Sequence, residues 1–429
     1  MSTPAPSPPL PLAGVTLLDL SRILAGPVCS QILGDLGARV IKVERPGRGD
    51  DTRQWGPPFF HGQSAYFQSV NRNKWSLALD LRQPAGRQVL DDLIRRSDLL
   101  LENFLPPEVE KFGLAPGRLK QLNPALVSCS ISGFGRTGPW SDRPGYDAAI
   151  QAMSGLMAIT GPIDGEPSKV GVAIADVITG LYAAISLLSG LCARRAANGS
   201  DPSQAAPRAF DLSLLDCTIA SLVNVAQSCL VTGENPRRFG NGHPTIVPYQ
   251  TFRAADGYLM LAVGNDGQFA RLCDLLGHPE WAADPRFATN PARVTHREEL
   301  VPLLEALFAQ ATRAEWAERL TRADVPFAPV QSLGEALSLE QVAARQMVVE
   351  VDAHGNPLKL LNSPIRIEGQ SPPLPTPPPD VGEHSEQVLR EFLGYDAGQI
   401  RELLAAGVCG QATDTSGTST TDDRGPSLR

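Results

Sequence analysis

Val15 to Glu44 reads VTLLDLSRILAGPVCSQILGDLGARVIKVE, and the order of its parts decides the fold. The apolar, β-branched run VTLLDLS at Val15–Ser21 predicts a strand. GPVCSQILGDLGA at Gly26–Ala38 has helical spacing and opens with Pro27 in its first turn, where a missing N–H costs nothing. RVIKVE at Arg39–Glu44 predicts the next strand. Two apolar strands joined through a helix of this length run parallel, because the chain has to cross back over the sheet.

The alternation continues. SLALDL (Ser76–Leu81), DLLLEN (Asp98–Asn103) and ALVSCSIS (Ala125–Ser132) predict strands, separated by helical PAGRQVLDDLIRRS (Pro84–Ser97) and PGRLKQLNP (Pro116–Pro124). Strands that are apolar throughout imply a parallel sheet covered on both faces, so the N-terminal half reads as α/β and Rossmann-like. GYDAAIQAMSGLMAIT (Gly145–Thr160) and Asp176–Arg195 predict two buried helices, and AFDLSLLDCTIASLVNVAQSCLV (Ala209–Val231) a strand leading into another. From Tyr249 the character changes to a hairpin signalled by Asp256-Gly257, followed by short polar-faced helices. Late strands are expected in Val348–Ile367, an extended proline linker at Ser371–Pro379 and a last helical stretch at Ser385–Gly407. The expected division is a flexible N-terminus at 1–12, a large domain at 13–225, a smaller α+β domain at 226–325, a return to the large domain at 326–408 and a disordered tail at 409–429.

Composition narrows the function. The 429 residues carry a net charge of -8, with 42% hydrophobic and 20% charged residues, and the mean hydropathy is -0.11 with a pI near 5.4. This leaves no electrostatic footprint for nucleic acid or an anionic membrane. Seven scattered cysteines, none in a C-x-x-C pair, suit a reduced cytoplasmic enzyme and neither a disulfide framework nor a zinc site. MSTPAPSPPLPLAG at the start has no basic region and no apolar core, so no signal or transit peptide is expected. Val177–Ala193 runs 17 residues without a charge, but Thr179, Gly180, Ser186, Ser189 and Gly190 favour a core helix over a membrane span. No histidine stands in an H-E-x-x-H spacing and no G-x-S-x-G is present, so no metal ligands are assigned and serine hydrolase chemistry lacks support.

GFGRTG at Gly133–Gly138 matches a dinucleotide fingerprint, but Pro139 and Pro144 forbid the helix that would have to open there. The glycines read instead as a flexible loop through which backbone can approach a ligand, which makes Gly133 and Gly135 candidate pocket residues. VERPGRGDDTR (Val43–Arg53) places Arg45, Arg48 and Arg53 in a loop after a strand, suitable for phosphates. Asp176 is the one carboxylate in VGVAIADVITGLYAAISLLSG (Val170–Gly190). Placed where an apolar helix begins, it reads either as a plain N-cap, favoured by the dipole by roughly 0.3–1 kcal/mol and held ionised by free N–H groups, or as a nucleophile.

The ordered set PLAGVTLLDLSRILAGP, LGDLGARVIKVERPGRGDDTR, NRNKWSLALDL, LLLENF, SISGFGRTGP, GYDAAIQAMSGLM and the IAD ending at Asp176 resembles the class III CoA-transferases. That family includes formyl-CoA transferase and carnitine CoA-transferase, and the likeness runs over about residues 10 to 407. It implies an enzyme that moves coenzyme A from an acyl-CoA to a carboxylic acid, with Asp176 as nucleophile, an aspartyl anhydride and an aspartyl-CoA thioester as intermediates, and no permanent cofactor. It also implies CoA contacts at Ile23, Arg45, Leu79, Asn103, Phe104 and Lys111, an acyl pocket near Leu24 and Tyr146, and a homodimer of interlocked, ring-like subunits. Leu24 stands where formyl-CoA transferase has glutamine, and NGHPTIVPYQ replaces its glycine-run loop, which points to a larger acceptor than formate or oxalate. RFATN and GNDGQF resemble relatives that use succinyl-CoA with dicarboxylates. An α-methylacyl-CoA racemase shares the implied fold but uses a histidine base in a GHD-like position, where this chain has Tyr146 in GYD. Tyrosine is a poor base at neutral pH. A non-catalytic CoA-binding homologue is the other alternative, and the intact Asp176 region weighs against it.

Overall fold

A computed structural model describes residues 9–196, 208–369 and 373–410. The chain forms two compact units, one made of Met1–Ile150, Ala173–Ser221 and Gln346–Arg429, the other of Gln151–Val172 and Leu222–Arg345.

The first unit is built on a sheet of β1 (Thr16–Asp19), β2 (Arg39–Glu44), β3 (Lys74–Leu79), β4 (Leu99–Glu102), β5 (Val127–Ser132) and β6 (Ala209–Ser213). These lie in the order 3-2-1-4-5-6 and all run parallel, which is the doubly wound arrangement of dinucleotide-binding folds. Leu17 of β1 is paired with Val40 of β2 on one side and Leu99 of β4 on the other, so the strand order turns between β1 and β4.

Successive residues of a strand point to opposite faces, and both faces here are covered. Leu17, Val40, Leu99 and Leu101 pack with Cys29 and Leu33 of α1 (Ala25–Asp35) and with Ala183, Leu187 and Leu191 of the long helix. Leu18, Ile41, Leu77 and Leu100 pack with Val89, Leu90, Leu93 and Ile94 of α2 (Pro84–Arg96) and with Val388 and Leu389. That is why the strands read as unbroken apolar runs. Three more helices shape the site: α3 (Pro106–Phe112), α4 (Asp147–Met153) and α5 (Ile174–Ala196).

The long helix α5, expected to be buried, is buried only in part. One stripe faces the sheet, while Leu181, Tyr182 and Ile185 are 47%, 40% and 61% exposed, because a helix lying on a sheet can touch it along one side only. Gly180 lets α5 approach α1 closely: a Cβ there would lie 2.6 Å from the Ala25 carbonyl oxygen.

Three expectations about the chain ends and linkers are corrected. Leu12 is buried and its N–H donates to the Leu36 carbonyl at 2.9 Å, so the ordered chain reaches into 1–12; residues 1–8 lie outside the described residues. The tail expected to start at 409 begins as a strand, since Cys409–Gly410 pairs antiparallel with Leu79 and Ala78 at the open edge of β3; residues 411–429 are outside the description. The proline segment is tied down where it is described, with Asn73 and Thr376 exchanging backbone and side-chain hydrogen bonds and the Pro379 carbonyl accepting from Arg53 at 3.0 Å; residues 370–372 lie outside.

The second unit has a three-stranded antiparallel sheet, Phe327–Pro329, Gly257–Ala262 and Tyr249–Ala254, with helices Asp266–Leu276, Arg297–Phe308 and Arg313–Arg322 around Phe252, Phe269, Leu300, Phe308 and Trp316. It extends beyond the expected 226–325 at both ends and takes in 151–172 as well. Arg238 explains the latter, because its guanidinium donates to the carbonyls of Ala158, Pro162 and Gly165.

Candidate active site

Where the order of a doubly wound sheet turns, the loops at the carboxyl ends of the two neighbouring strands diverge and leave a crevice. Here those loops are Leu20–Leu24 after β1 and Asn103–Leu105 after β4. The Asn103 side chain joins them, accepting from the Arg22 N–H at 3.0 Å and donating to the Arg22 carbonyl at 2.9 Å.

Two clefts open at this place. The larger, about 440 Å³, is lined by Ile23, Leu24, Asn103, Phe104, Gly133, Tyr146 and Asp176, together with Arg48, Trp55 and Asp147. The smaller, about 220 Å³, is lined by Arg45, Leu79, Phe104 and Lys111, together with Lys42 and Asp50. Arg22, Phe104 and Glu108 belong to both walls. Of the candidate residues named from the sequence, all but Gly135 and Arg53 line one cleft or the other.

The GFGRTG loop is pinned rather than flexible. Gly135 N–H donates to Ser132 Oγ at 2.9 Å, Arg136 N–H to Asp211 at 2.8 Å, and the Arg136 guanidinium to Ser130 at 2.7 Å and to Glu102 at 2.8 and 3.1 Å. Gly133 is required by close approach to another part of the backbone, since a Cβ on it would meet the Gly145 Cα at 2.6 Å. That contact sets the GYD segment against the cleft, where Tyr146 is 69% exposed.

Asp176 does not cap its helix. The helix starts at Ile174, and the carboxylate that accepts from its first turn is Asp147, with Ala175 N–H at 2.8 Å and Asp176 N–H at 3.4 Å. Asp176 is the third helical residue, half-buried in the cleft wall, and among the described residues no donor hydrogen-bonds its carboxylate. Burial raises its carboxyl, the negative charge of Asp147 raises it further, and it is pushed up to about 7. The expectation of an N-cap held firmly ionised is therefore reversed. A carboxyl shifted this far by burial and a like charge in a cleft wall is the kind of perturbed group that marks functional sites.

Around it stand two aromatic residues that the sequence reading missed. Trp55 lines the cleft and packs edge-to-face on Tyr66 at 5.3 Å. Burial, then the charges of Asp176, Asp147 and Asp50, push the Tyr66 phenol up to about 12, so it stays protonated and is a hydrogen-bond donor. The only signal for them was their place just after the arginine loop, in TRQWGPPFFHGQSAYF.

The arginine loop divides in two. Arg45, Arg48 and Arg22 converge on Asp51, with nitrogen–oxygen distances of 2.8, 3.2 and 3.5 Å. Three guanidiniums around one carboxylate leave that carboxylate outnumbered by cations, a grouping that suits phosphates or carboxylates. Arg53 is withdrawn from this group: it is buried, paired with Glu44 at 2.7 and 2.9 Å, and belongs to the packing under the loop. Lys111 is exposed in the last turn of α3. Leu79 is 1% exposed and closes the floor of the smaller cleft. His354 Nε2 lies 3.7 Å from Asp380 and Glu383 carboxylate oxygens in a partly exposed grouping that lines neither cleft.

The profile of CoA-transferase family III matches residues 12–385. The chain belongs to CoA-transferase family III. Succinyl-CoA:glutarate CoA-transferase of Mus musculus is 42% identical over 403 residues, which cover 94% of this chain and 91% of that protein. Succinate--glutarate CoA-transferase of Agrobacterium fabrum (strain C58 / ATCC 33970) is 42% identical over 405 residues, 91% of this chain and 98% of that protein. The crystal structure of a CAIB/BAIF family protein from Brucella suis superposes with a TM-score of 0.79 at 42% identity, over 90% of this chain and all of that one. This CoA-transferase thus acts on coenzyme A thioesters, and the resemblance drawn from the sequence holds at the level of family, enzyme class and α/β fold.

One prediction concerns the arginines of this transferase. Arg45→Ala removes a cation from the smaller cleft without touching Asp176, so the KM for acyl-CoA is expected to rise about tenfold with kcat little changed. Steady-state kinetics that leave KM unaltered would take Arg45 out of the binding site.

Proposed function

We propose that this transferase moves coenzyme A from succinyl-CoA, or a similar acyl-CoA, to a dicarboxylic acid by covalent catalysis at Asp176. The observation that carries the reading is the position of that carboxylate: half-buried, without a hydrogen-bond donor among the described residues, and opening onto the cleft between the β1 and β4 loops. An Asp176 oxygen attacks the thioester carbonyl, the C–S bond breaks, and CoA leaves as the thiolate from an aspartyl anhydride. The thiolate then attacks the aspartyl carbonyl and expels the donor acid as its carboxylate, leaving an aspartyl-CoA thioester. The acceptor carboxylate attacks this thioester, CoA leaves again, and its attack on the acceptor carbonyl of the second anhydride yields the new acyl-CoA and restores Asp176. No net proton is gained or lost.

Phosphates are assigned to the smaller cleft with Arg45 and Lys111, and Phe104 and Asn103 to the passage that pantetheine occupies. Dicarboxylate substrates are supported by the names of the relatives that are 42% identical and by Arg22 and Arg48, cations in the wall of the larger cleft that suit an anionic acyl group. The cytoplasm suits seven free cysteines. A homodimer of interlocked subunits, which the family resemblance implies, would give the exposed Leu181, Tyr182 and Ile185 side of α5 an apolar partner.

The decisive experiment is mass spectrometry of the protein mixed with succinyl-CoA. A CoA adduct located on Asp176 is expected. Solvent deuterium entering the α-carbon of a branched acyl-CoA, with no adduct, would replace this reading with the racemase.

A further inference from the structure

The loop from β1 to α1 holds a residue in a conformation that its side chain disfavours. Ile23 has φ of +71°, in the left-handed region where a branched Cβ crowds the neighbouring backbone. Such a conformation persists only where the surroundings over-determine it, and it tends to mark functional sites.

The surroundings here are specific. The Ser21 carbonyl accepts from Lys42 Nζ at 2.9 Å. Both polar atoms of the Arg22 backbone are bound by the Asn103 amide. The Ile23 N–H faces both oxygens of Asp50, at 3.4 and 3.3 Å. Three consecutive residues are therefore each held by a side chain from another strand or loop. Asp50 is itself fixed, by Lys42 Nζ at 2.9 Å, Thr52 N–H at 3.0 Å and Thr52 Oγ1 at 2.8 Å. Lys42 is fully buried, and Asp50 is 1% exposed. Burial alone would raise the Asp50 carboxyl, but the Lys42 charge and the Thr52 bonds outweigh it and hold it at about 2, so the pair stays ionised. The segment they hold leads into Leu24 and Ala25, which with Ile23 line the Asp176 cleft.

We infer that Asp50 is a positioning residue of the transfer reaction: together with Lys42 and Asn103 it locks residues 21–23 in the left-handed form that sets Ile23 and Leu24 against Asp176. Asp50 acts through the backbone of Ile23 and not on substrate, because its two oxygens are taken up by Lys42, Thr52 and Ile23. The inference rests on Asp176 being the nucleophile.

A double-mutant cycle on kcat, at saturating acyl-CoA and normalised to the fraction of protein that forms the Asp176 adduct, tests it. Asp50→Asn offers one oxygen in place of two and loses the charge that holds Lys42. In the native background it is expected to lower kcat about tenfold or more by letting the loop drift. Glycine adopts positive φ without cost, so in an Ile23→Gly background the same substitution is expected to cost no more than about threefold. The loss of the isoleucine side chain itself cancels in that ratio. Equal factors in both backgrounds would overturn the inference. Should Asp50→Asn fail to fold because Lys42 is left buried without its partner, Asn103→Ala enters the same cycle, strands no charge, and is judged by the same criterion. Asp176→Ala separates the two readings. If that variant is inert while the cycle is additive, only the positioning role falls; if it keeps full activity, the nucleophile assignment falls first.

Discussion

Asp176→Asn is expected to lose CoA transfer by at least about a thousandfold and, at pH 8, to be more stable than the native protein. The first effect follows from removing the group proposed to carry the covalent intermediates, since a neutral amide does not attack a thioester. The second follows from the same burial and the same Asp147 neighbour that make the carboxylate reactive. A carboxyl pushed up to about 7 in the folded protein and near 4 when unfolded binds its proton more tightly in the folded state. Its destabilising contribution is absent below about pH 4, grows as pH rises from there to about 7, and is constant above. At pH 8 it amounts to roughly 2–4 kcal/mol once partial exposure is allowed for. The amide has the same shape and no such penalty. Thermal melts of the two proteins should therefore diverge at pH 8 and converge near pH 4. A variant less stable than the parent at pH 8 would show that the site does not hold the charge against its preference, and retained transfer would remove Asp176 from the chemistry.

The pH profile should show the same group directly. Only the ionised carboxylate attacks, so kcat/KM is expected to fall about tenfold per pH unit below about 7, or roughly a hundredfold between pH 7 and pH 5. Asp147→Asn separates the two causes of the shift. Asparagine keeps an oxygen for the Ala175 N–H and removes the neighbouring negative charge, so the acid limb is expected to move to lower pH while the helix start survives. A profile flat from pH 5 to 8 would contradict the raised carboxyl, and an unmoved limb in Asp147→Asn would leave burial as the sole cause.

Much of this was legible in the linear order of residues, and the reasons differ from element to element. The parallel sheet could be read because strands covered on both faces must be apolar at every position, as Leu17–Leu18 and Leu99–Leu101 are. Asp176 stood out because a lone carboxylate in an aliphatic run is anomalous at any resolution. The arginines of Val43–Arg53 were visible as a group but not individually: Arg45 and Arg48 turn to the clefts and Arg53 turns inward to Glu44, a choice made by the path of the loop. Trp55 and Tyr66 had no pattern of their own. Lys42 had no signal of its own within RVIKVE, and its ion pair with Asp50 together with its bond to the Ser21 carbonyl makes a fully buried ammonium tolerable.

The sequence by itself determined the alternation of strand and helix, hence a parallel α/β core, and the class of chemistry that one isolated aspartate in a specific family pattern implies. The tertiary structure alone decided which carboxylate caps the long helix and which, among the described residues, is left without a donor. Hydrophobic period is a local property that each segment carries with it. Capping, strain at Ile23 and the proton affinity of Asp176 depend on side chains that come from distant parts of the chain, Asp147, Asp50 and Asn103, and so exist only once the chain is folded.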